Sequence, residues 1–227
     1  MPRSRVRACA AAPVGLPEAP AGLYVVAGVN GAGKSSIFAE LARQAGVLLF
    51  DADAVTQNLL DVNPGLGRDQ ANAIAWRTGA DLLRKAIDQR LAFGLETTLG
   101  GTTIPGLLER SLQEGHPVFM SYVGLDGVEL HIARVRQRVA RGGHDVPEDR
   151  IRARYANSHA NLIRLLPRLE GLRVFDNSTE ANPAAGQAPV PTEILRTTRG
   201  RIDTVIDLAA VPQWAKPVVA VALALQR

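Results

Sequence analysis

The chain has 227 residues, 46% hydrophobic and 21% charged, with a formal net charge of +4, which fits one soluble globular domain with its own core. Its single cysteine, Cys9, excludes an intramolecular disulfide and any cysteine-based metal site, and suits a reducing compartment. The apolar run from Pro217 to Leu225 is too short to span a bilayer and reads as a core helix, and so small a positive charge is weak support for a nucleic-acid partner.

In chain order, residues 1–20 place Arg3, Arg5 and Arg7 ahead of an Ala/Pro-rich stretch. Pro13, Pro17 and Pro20 interrupt what would be the apolar region of a signal peptide, so a disordered leader is expected, with the cytoplasm as the default location. Leu23–Ala27 reads as a buried strand. It leads into Gly28-Val29-Asn30-Gly31-Ala32-Gly33-Lys34-Ser35-Ser36, which fits G-x-x-x-x-G-K-[ST] in full. The glycines permit backbone conformations and close approaches that a Cβ would block. Successive N–H groups, Asn30 and Ala32 among their residues, then cradle phosphate oxygens at the positive end of the following helix. Lys34 is placed to reach the β- and γ-phosphates, and the Ser35 hydroxyl to sit on Mg²⁺. The motif implies binding of a nucleoside triphosphate, ATP or GTP.

Strand and helix signals alternate from there on. A helix is expected from Ser35 to about Ala45, a strand over Val47–Phe50, a helical region broken at Asn63-Pro64-Gly65, and a helix from Asn72 to Leu91. A strand over Ala92–Glu96, a helix over Ile104–Glu114 and a strand over Pro117–Val123 follow. Next come an Arg-rich helix from Val128 to Arg141, a helix opened by Pro147 and Glu148 running to about Leu169, and a strand over Leu172–Phe175. Glu180 to Pro191 reads as a mobile loop, Ile194–Arg196 with Arg201–Asp207 as a small hairpin, and Pro212 as the start of a last helix with Trp214 as a core anchor. The pattern predicts an α/β fold of the P-loop NTPase or kinase type in three layers. Its five-stranded, mainly parallel sheet carries helices on both faces, and residues 21–227 form a single domain. Ligands in such folds bind beyond the C-terminal ends of the strands.

The residues at those ends carry chemistry. Asp51 and Asp53 follow the second strand; a carboxylate there can take the proton of an attacking hydroxyl or hold the Mg²⁺ shell, and can equally be a helix N-cap. Glu96 and Thr98 follow the third strand. Glu96 is costly to bury without a partner, which would be a substrate hydroxyl, a metal-bound water or an arginine. Arg134, Arg138 and Arg141 share a helix face ahead of Gly142-Gly143-His144, so residues 134–147 read as a hinged lid able to close on phosphates. The other reading is a solvated arginine face, to which Arg136 belongs. His144 reads as a lid or polar loop residue rather than a metal ligand.

With these residues assembled, about residues 22 to 178 resemble the zeta-toxin family of P-loop kinases, in its compact branch. The resemblance rests on Gly28–Ser36, Asp51-Ala52-Asp53, Glu96-Thr97-Thr98 and above all Arg-Gly-Gly-His-Asp-Val-Pro-Glu at 141–148, with Ile151-Arg152-Ala153-Arg154-Tyr155 and Asn161-Leu162 downstream. It implies a toxin of a toxin–antitoxin pair, with a small helical antitoxin as partner. Such a toxin uses ATP and Mg²⁺ to phosphorylate a sugar hydroxyl of UDP-N-acetylglucosamine. The resemblance makes Asp53 the general base, Lys34 the phosphate lysine and Arg138 a lid arginine, with a second near His144 or Arg141. It also makes Glu96 and Thr98 substrate contacts, and Asp51, beside the general base, is read as a further one. The larger toxins carry an arginine soon after the Glu-x-Thr, where this chain has Leu99-Gly100-Gly101. That difference keeps two alternatives open: a kinase acting on another small metabolite or a nucleic-acid end, and an ATP-dependent switch without acceptor chemistry.

Overall fold

A computed structural model of the chain describes residues 21–35, 37, 47, 49–179 and 190–227. The expected leader, Ser36, the body of the helix entered at Lys34 and most of the expected loop at 180–191 lie outside the described residues.

Strand β1 (Leu23–Ala27) is followed by β2 (Leu49–Phe50), helices α1 (Ala52–Val62) and α2 (Arg68–Gln89), β3 (Phe93–Thr97), α3 (Thr103–Gln113) and β4 (Val118–Gly124). Then come α4 (Val128–Ala140), α5 (Glu148–Leu165), β5 (Gly171–Asp176), β6 (Thr192–Thr198), β7 (Arg201–Val205) and α6 (Lys216–Ala224). Among the described residues they form one seven-stranded sheet in the order β2-β3-β1-β4-β5-β6-β7. The pairings from β2 to β5 are all parallel, and β5–β6 and β6–β7 are antiparallel.

The expected α/β fold is therefore present, with two strands beyond the expected five. The hairpin extends the sheet because β6 buries Ile194, Leu195 and Thr197 while pairing along β5, from Gly171↔Thr198 to Asp176↔Thr192. The helix expected to reach Leu169 is α-helical only to Leu165, and a 3₁₀ turn over Leu166–Arg168 contains Pro167, which supplies no N–H to continue the ladder.

Both faces of β1 are buried. Leu23, Val25 and Ala27 join a main core with Leu83 and Ile87 of α2, Leu108 of α3, Leu162 and Leu165 of α5 and Val218 of α6. Val26, pointing the other way, is 1% exposed. Each of the leucine, isoleucine and valine side chains contributes about 1.5–3 kcal/mol relative to exposure. Trp214 packs in the main core and donates from Nε1 to Asp176 Oδ1 at 2.8 Å, which satisfies its one polar atom. The topology serves the site: β1 lies between β3 and β4, so the loop after β1 opens beside the ends of both neighbours.

Candidate active site

The glycine turn is shaped by what surrounds it. Gly28 has φ 146°, and a Cβ there would lie 2.2 Å from the Val123 carbonyl oxygen of β4. Gly33 has φ 83°, and a Cβ there would lie 2.4 Å from Asn177 Nδ2. Both positions require glycine for conformation and for space.

Three side chains hold the turn from outside. His131 of α4 donates from Nδ1 to the Asn30 carbonyl at 2.9 Å, Arg154 of α5 donates from Nη1 to Asn30 Oδ1 at 2.8 Å, and Asn177 donates from Nδ2 to the Ala32 carbonyl at 2.8 Å. All three take acceptor oxygens of the turn and none takes an N–H, which suits a loop that offers donors to a phosphate. The backbone carbonyl fixes the His131 tautomer with its proton on Nδ1. Burial lowers the His131 pKa to about 4, against the opposing effect of that hydrogen bond.

Lys34 opens the following helix and is 7% exposed. Its Nζ lies 3.4 Å from Oε1 of Glu96, at the end of β3. Burial pushes the Glu96 carboxyl up from its ordinary value, and the Asp51 and Asp53 charges push the same way, while Lys34 draws it down. The four groups therefore share one electrostatic neighbourhood. Ser35 is exposed toward the cleft.

Asp51 is the N-cap of α1: its Oδ1 accepts from the backbone N–H groups of Asp53 at 2.8 Å and Ala54 at 3.2 Å. The cap fixes the first turn of α1 and so orients Asp53. Thr98 follows β3 in a tight loop. There Thr97 Oγ1 accepts from Leu99 N at 3.0 Å, and Leu99, a non-glycine residue, has φ 56°. Helix α5 holds this loop from behind. Ser158 donates from Oγ to the Thr98 carbonyl at 2.7 Å, and Asn161 donates from Nδ2 to the Leu99 and Gly101 carbonyls at 2.7 and 3.1 Å. The fully buried Tyr122 hydroxyl meets Ser158 Oγ at 2.9 Å.

Across the cleft, α4 ends and the chain turns through Gly142, at φ 85°, into α5. Gly143 N donates to the Arg138 carbonyl at 2.9 Å, and Arg138 Nη2 donates to the His144 carbonyl at 2.7 Å, so this arginine braces the turn. Arg134 donates from Nη2 to the Asn177 carbonyl at 2.7 Å. Burial lowers the His144 pKa, which the Asp53 charge raises and the Arg138 and Arg68 charges lower further.

One cleft of about 1490 Å³ is lined by Asn30, Gly31, Gly33, Lys34, Ser35, Asp51, Asp53, Glu96, Thr98, Arg134, Arg138 and His144. Arg141 is not brought to it: the residue caps α4 and is exposed, because the helix ends at Ala140 and the backbone turns away. Gly28 and Ala32 shape the turn from beneath rather than line the cleft. Arg136 faces outward and forms an ion pair with Glu148.

Sequence reasoning missed Arg154, Ser158 and Asn161 as site residues, along with His131, Asn177 and Trp76 of the cleft wall. The spacing of Arg154, Ser158 and Asn161 on one helix face was the available signal. His131 and Asn177 act on the turn across more than a hundred residues of sequence, where no local pattern points to them.

A glycine turn braced on acceptor oxygens, a buried lysine at the start of the following helix and carboxylates at the ends of two neighbouring strands accompany a fold of the P-loop kinase type. The model of the zeta toxin family matches residues 15–182, and the chain belongs to that family. An uncharacterised protein of Haemophilus influenzae is 33% identical over 128 residues, covering 56% of this chain and 88% of the relative. Among solved structures, a chain of the AvrRxo1-ORF1:AvrRxo1-ORF2 complex with sulphate ions superposes with a TM-score of 0.61 at 17% identity, over 86% of this chain and 64% of that one. The PezAT chromosomal toxin–antitoxin system of Streptococcus pneumoniae gives a TM-score of 0.52 at 14% identity, over 72% and 71%. At these identities the likenesses show the fold. This chain thus spans less than two thirds of the length of its AvrRxo1 structural relative.

Proposed function

We propose that this chain is an ATP-dependent phosphotransferase that phosphorylates a sugar hydroxyl of UDP-N-acetylglucosamine, as the toxin of a toxin–antitoxin pair. The observation that carries the reading is the convergence on one cleft of Lys34, Asp53, Glu96 and Thr98 beneath the Arg138–His144 turn. Lys34 follows β1, Asp53 follows β2, and Glu96 and Thr98 stand at the end of β3, so the ends of three neighbouring strands and the turn after α4 supply the groups that position a phosphoryl transfer.

The residues fit ATP and Mg²⁺. The turn gives up acceptor oxygens to its braces, and the Ser35 hydroxyl lines the same cleft as the Asp53 and Glu96 carboxylates, oxygen groups of the kind a hard cation takes. When bound, Mg²⁺-ATP supplies the phosphoryl group and partial neutralisation of its charge. The chain's own residues do the rest. Lys34 holds the β- and γ-phosphates, exchanging its Glu96 contact for phosphate oxygens. Asp53 accepts the proton of the acceptor hydroxyl at its carboxylate, held in place by the Asp51 cap. Thr98 and Glu96 orient the acceptor, and Arg138 with Arg134 completes a positive wall that excludes water.

A cytoplasmic location and a small helical antitoxin follow from this reading. The AvrRxo1-ORF1:AvrRxo1-ORF2 complex and the PezAT toxin–antitoxin system, both similar in fold, support such a partner. A solved AvrRxo1-ORF1:-ORF2 structure with ATP, at a TM-score of 0.60 and 16% identity, supports ATP as the donor.

The test is incubation of purified protein with Mg²⁺-ATP and a panel of sugar nucleotides, nucleosides and oligonucleotides, beside Lys34→Ala and Asp53→Asn. Labelled UDP-N-acetylglucosamine, lost in both variants, is the expected result. Slow ATP hydrolysis unchanged by Asp53→Asn, with no acceptor labelled, would overturn it in favour of a nucleotide-dependent switch. Labelling of a different metabolite would keep the chemistry and replace the acceptor. The bare Gly100-Gly101 stretch of the cleft wall, preceded by Leu99 turned into the core, is the observation that favours that second reading.

A further inference from the structure

Arg154 stands in the segment Ile151-Arg152-Ala153-Arg154-Tyr155, and the fold gives it a place in the site that its sequence alone does not assign. It projects from the first half of α5 into the main cleft, opposite the lid. Its Cα, Cβ and Cγ fill the space in front of Gly100: a Cβ on Gly100 would lie 2.8 Å from each of them. The missing side chain at 100 is therefore the opening through which the arginine enters the site. One of its five N–H donors is engaged by Asn30 Oδ1 at 2.8 Å, at the mouth of the glycine turn. The guanidinium is half-buried and borders the same cleft as Asp53. Desolvation and the Arg150 charge lower its pKa, whereas the Asp53 charge favours its protonated form. The group lies between the turn that grips the donor phosphates and the carboxylate that faces the acceptor.

We propose that Arg154 is a catalytic residue whose guanidinium contacts the phosphoryl group in transit, with Gly100 making room for it and Asn30 aiming it. The inference rests on the phosphotransferase reading and assigns within that site a residue from α5 rather than from the lid. In transit the phosphoryl group spreads its charge over three equatorial oxygens, between a leaving oxygen held by Lys34 and an entering oxygen deprotonated by Asp53. A planar fork reaching from the side meets two of those oxygens at once, which a lysine cannot reproduce. Ser158 and Asn161, one and two turns further along α5, hold the acceptor loop at Thr98, Leu99 and Gly101. The same rigid helix thus sets both the arginine and the loop it reaches past.

The test needs no acceptor. Affinities are measured for Mg²⁺-ADP alone and for Mg²⁺-ADP with aluminium fluoride, a planar mimic of the transferring group. Wild type is compared with Arg154→Ala, Arg154→Met, Arg154→Lys, Asn30→Ala and Gly100→Ala. Wild type is expected to bind the fluoride complex more tightly. Arg154→Ala is expected to lose about tenfold to a hundredfold of that affinity while holding ADP within about twofold. Arg154→Met keeps the methylene packing against the Gly100 loop and is read in its place should the alanine variant fail to fold. Arg154→Lys recovers only part, Gly100→Ala reproduces the loss by displacing the arginine, and added guanidinium ion restores the fluoride affinity of Arg154→Ala.

Equal weakening of both complexes in Arg154→Ala would overturn the proposal, because that outcome leaves Arg154 only its role as a brace for the turn, whereas Asn30→Ala is expected to lose part of the fluoride affinity by releasing the aim of the arginine. Equal affinity of wild type for ADP with and without fluoride would also overturn it. A failed acceptor panel beside an intact, Arg154-dependent fluoride response would replace the acceptor and leave Arg154 in its role.

Discussion

Lys34 and Glu96 meet across the floor of the cleft, Nζ to Oε1 at 3.4 Å, with side chains 8% and 19% exposed. Burial of the carboxyl works against its charge and the lysine works for it. A carboxyl whose pKa is raised on folding contributes stability below its unfolded value and loses that stability as pH climbs through the folded one. Lys34→Met removes the main influence holding that pKa down. The variant is expected to lose about 1–3 kcal/mol at pH 8 and less at pH 5, with Lys34→Met/Glu96→Gln recovering most of the loss. Urea unfolding at the two pH values measures it.

Asp53 is expected to matter for transfer and not for nucleotide affinity. Asp53→Asn keeps the shape and the start of α1 but cannot take a proton. Its turnover should fall by about 10²–10⁴, with Mg²⁺-ATP affinity within about twofold. Initial rates and calorimetric titration separate the two.

Asp51 acts through the helix it caps. Asp51→Ala leaves the N–H groups of Asp53 and Ala54 without their acceptor and should cost about 1 kcal/mol, whereas Asp51→Asn, which also caps, should cost little. Thermal unfolding reads the stability. A fall in turnover shared by Asp51→Ala and absent from Asp51→Asn would show that the cap is what aims Asp53.

His131 makes stability sensitive to mild acid. It is fully buried, with a pKa lowered to about 4 from an unfolded value of 6.5. The unfolded chain binds the proton first, so the contribution is complete above pH 6.5 and is lost as pH falls toward 4. The loss amounts to about 3 kcal/mol. His131→Asn, whose amide can still donate to the Asn30 carbonyl, is expected to flatten the dependence of the urea midpoint between pH 7 and pH 4.5.

The sequence made the strands legible because each buried strand is a short apolar run ending in glycine or an acid, as at Val25-Val26-Ala27-Gly28 and Leu95-Glu96. The glycine turn was legible because its chemistry is local. The extension of the sheet by β6 and β7 was harder to see. Thr192–Thr198 mixes buried Ile194 and Leu195 with exposed Arg196, so the sequence suggested a small hairpin over Ile194–Arg196 and Arg201–Asp207 without its place at the edge of the sheet. The lid face was read from helical spacing alone, which placed Arg141 with Arg134 and Arg138. The helix stops at Ala140 and removes Arg141 from that face. The supports of the site were least legible. His131 and Asn177 are unremarkable residues in their own segments, Arg154 stands in a recognised segment without a role assigned to it, and only the folded topology brings their donors to the turn.

The contact between Gly100 and Arg154 makes loop and helix a single unit of exchange. A loop grafted from a relative with any side chain at this position would collide with the backbone of α5 as well as with the arginine. A helix grafted with a smaller residue at 154 would leave a gap beside the loop after β3. Chimeras of this fold that swap either segment alone should misassemble the cleft, whereas swapping residues 97–101 together with 148–165 should preserve it.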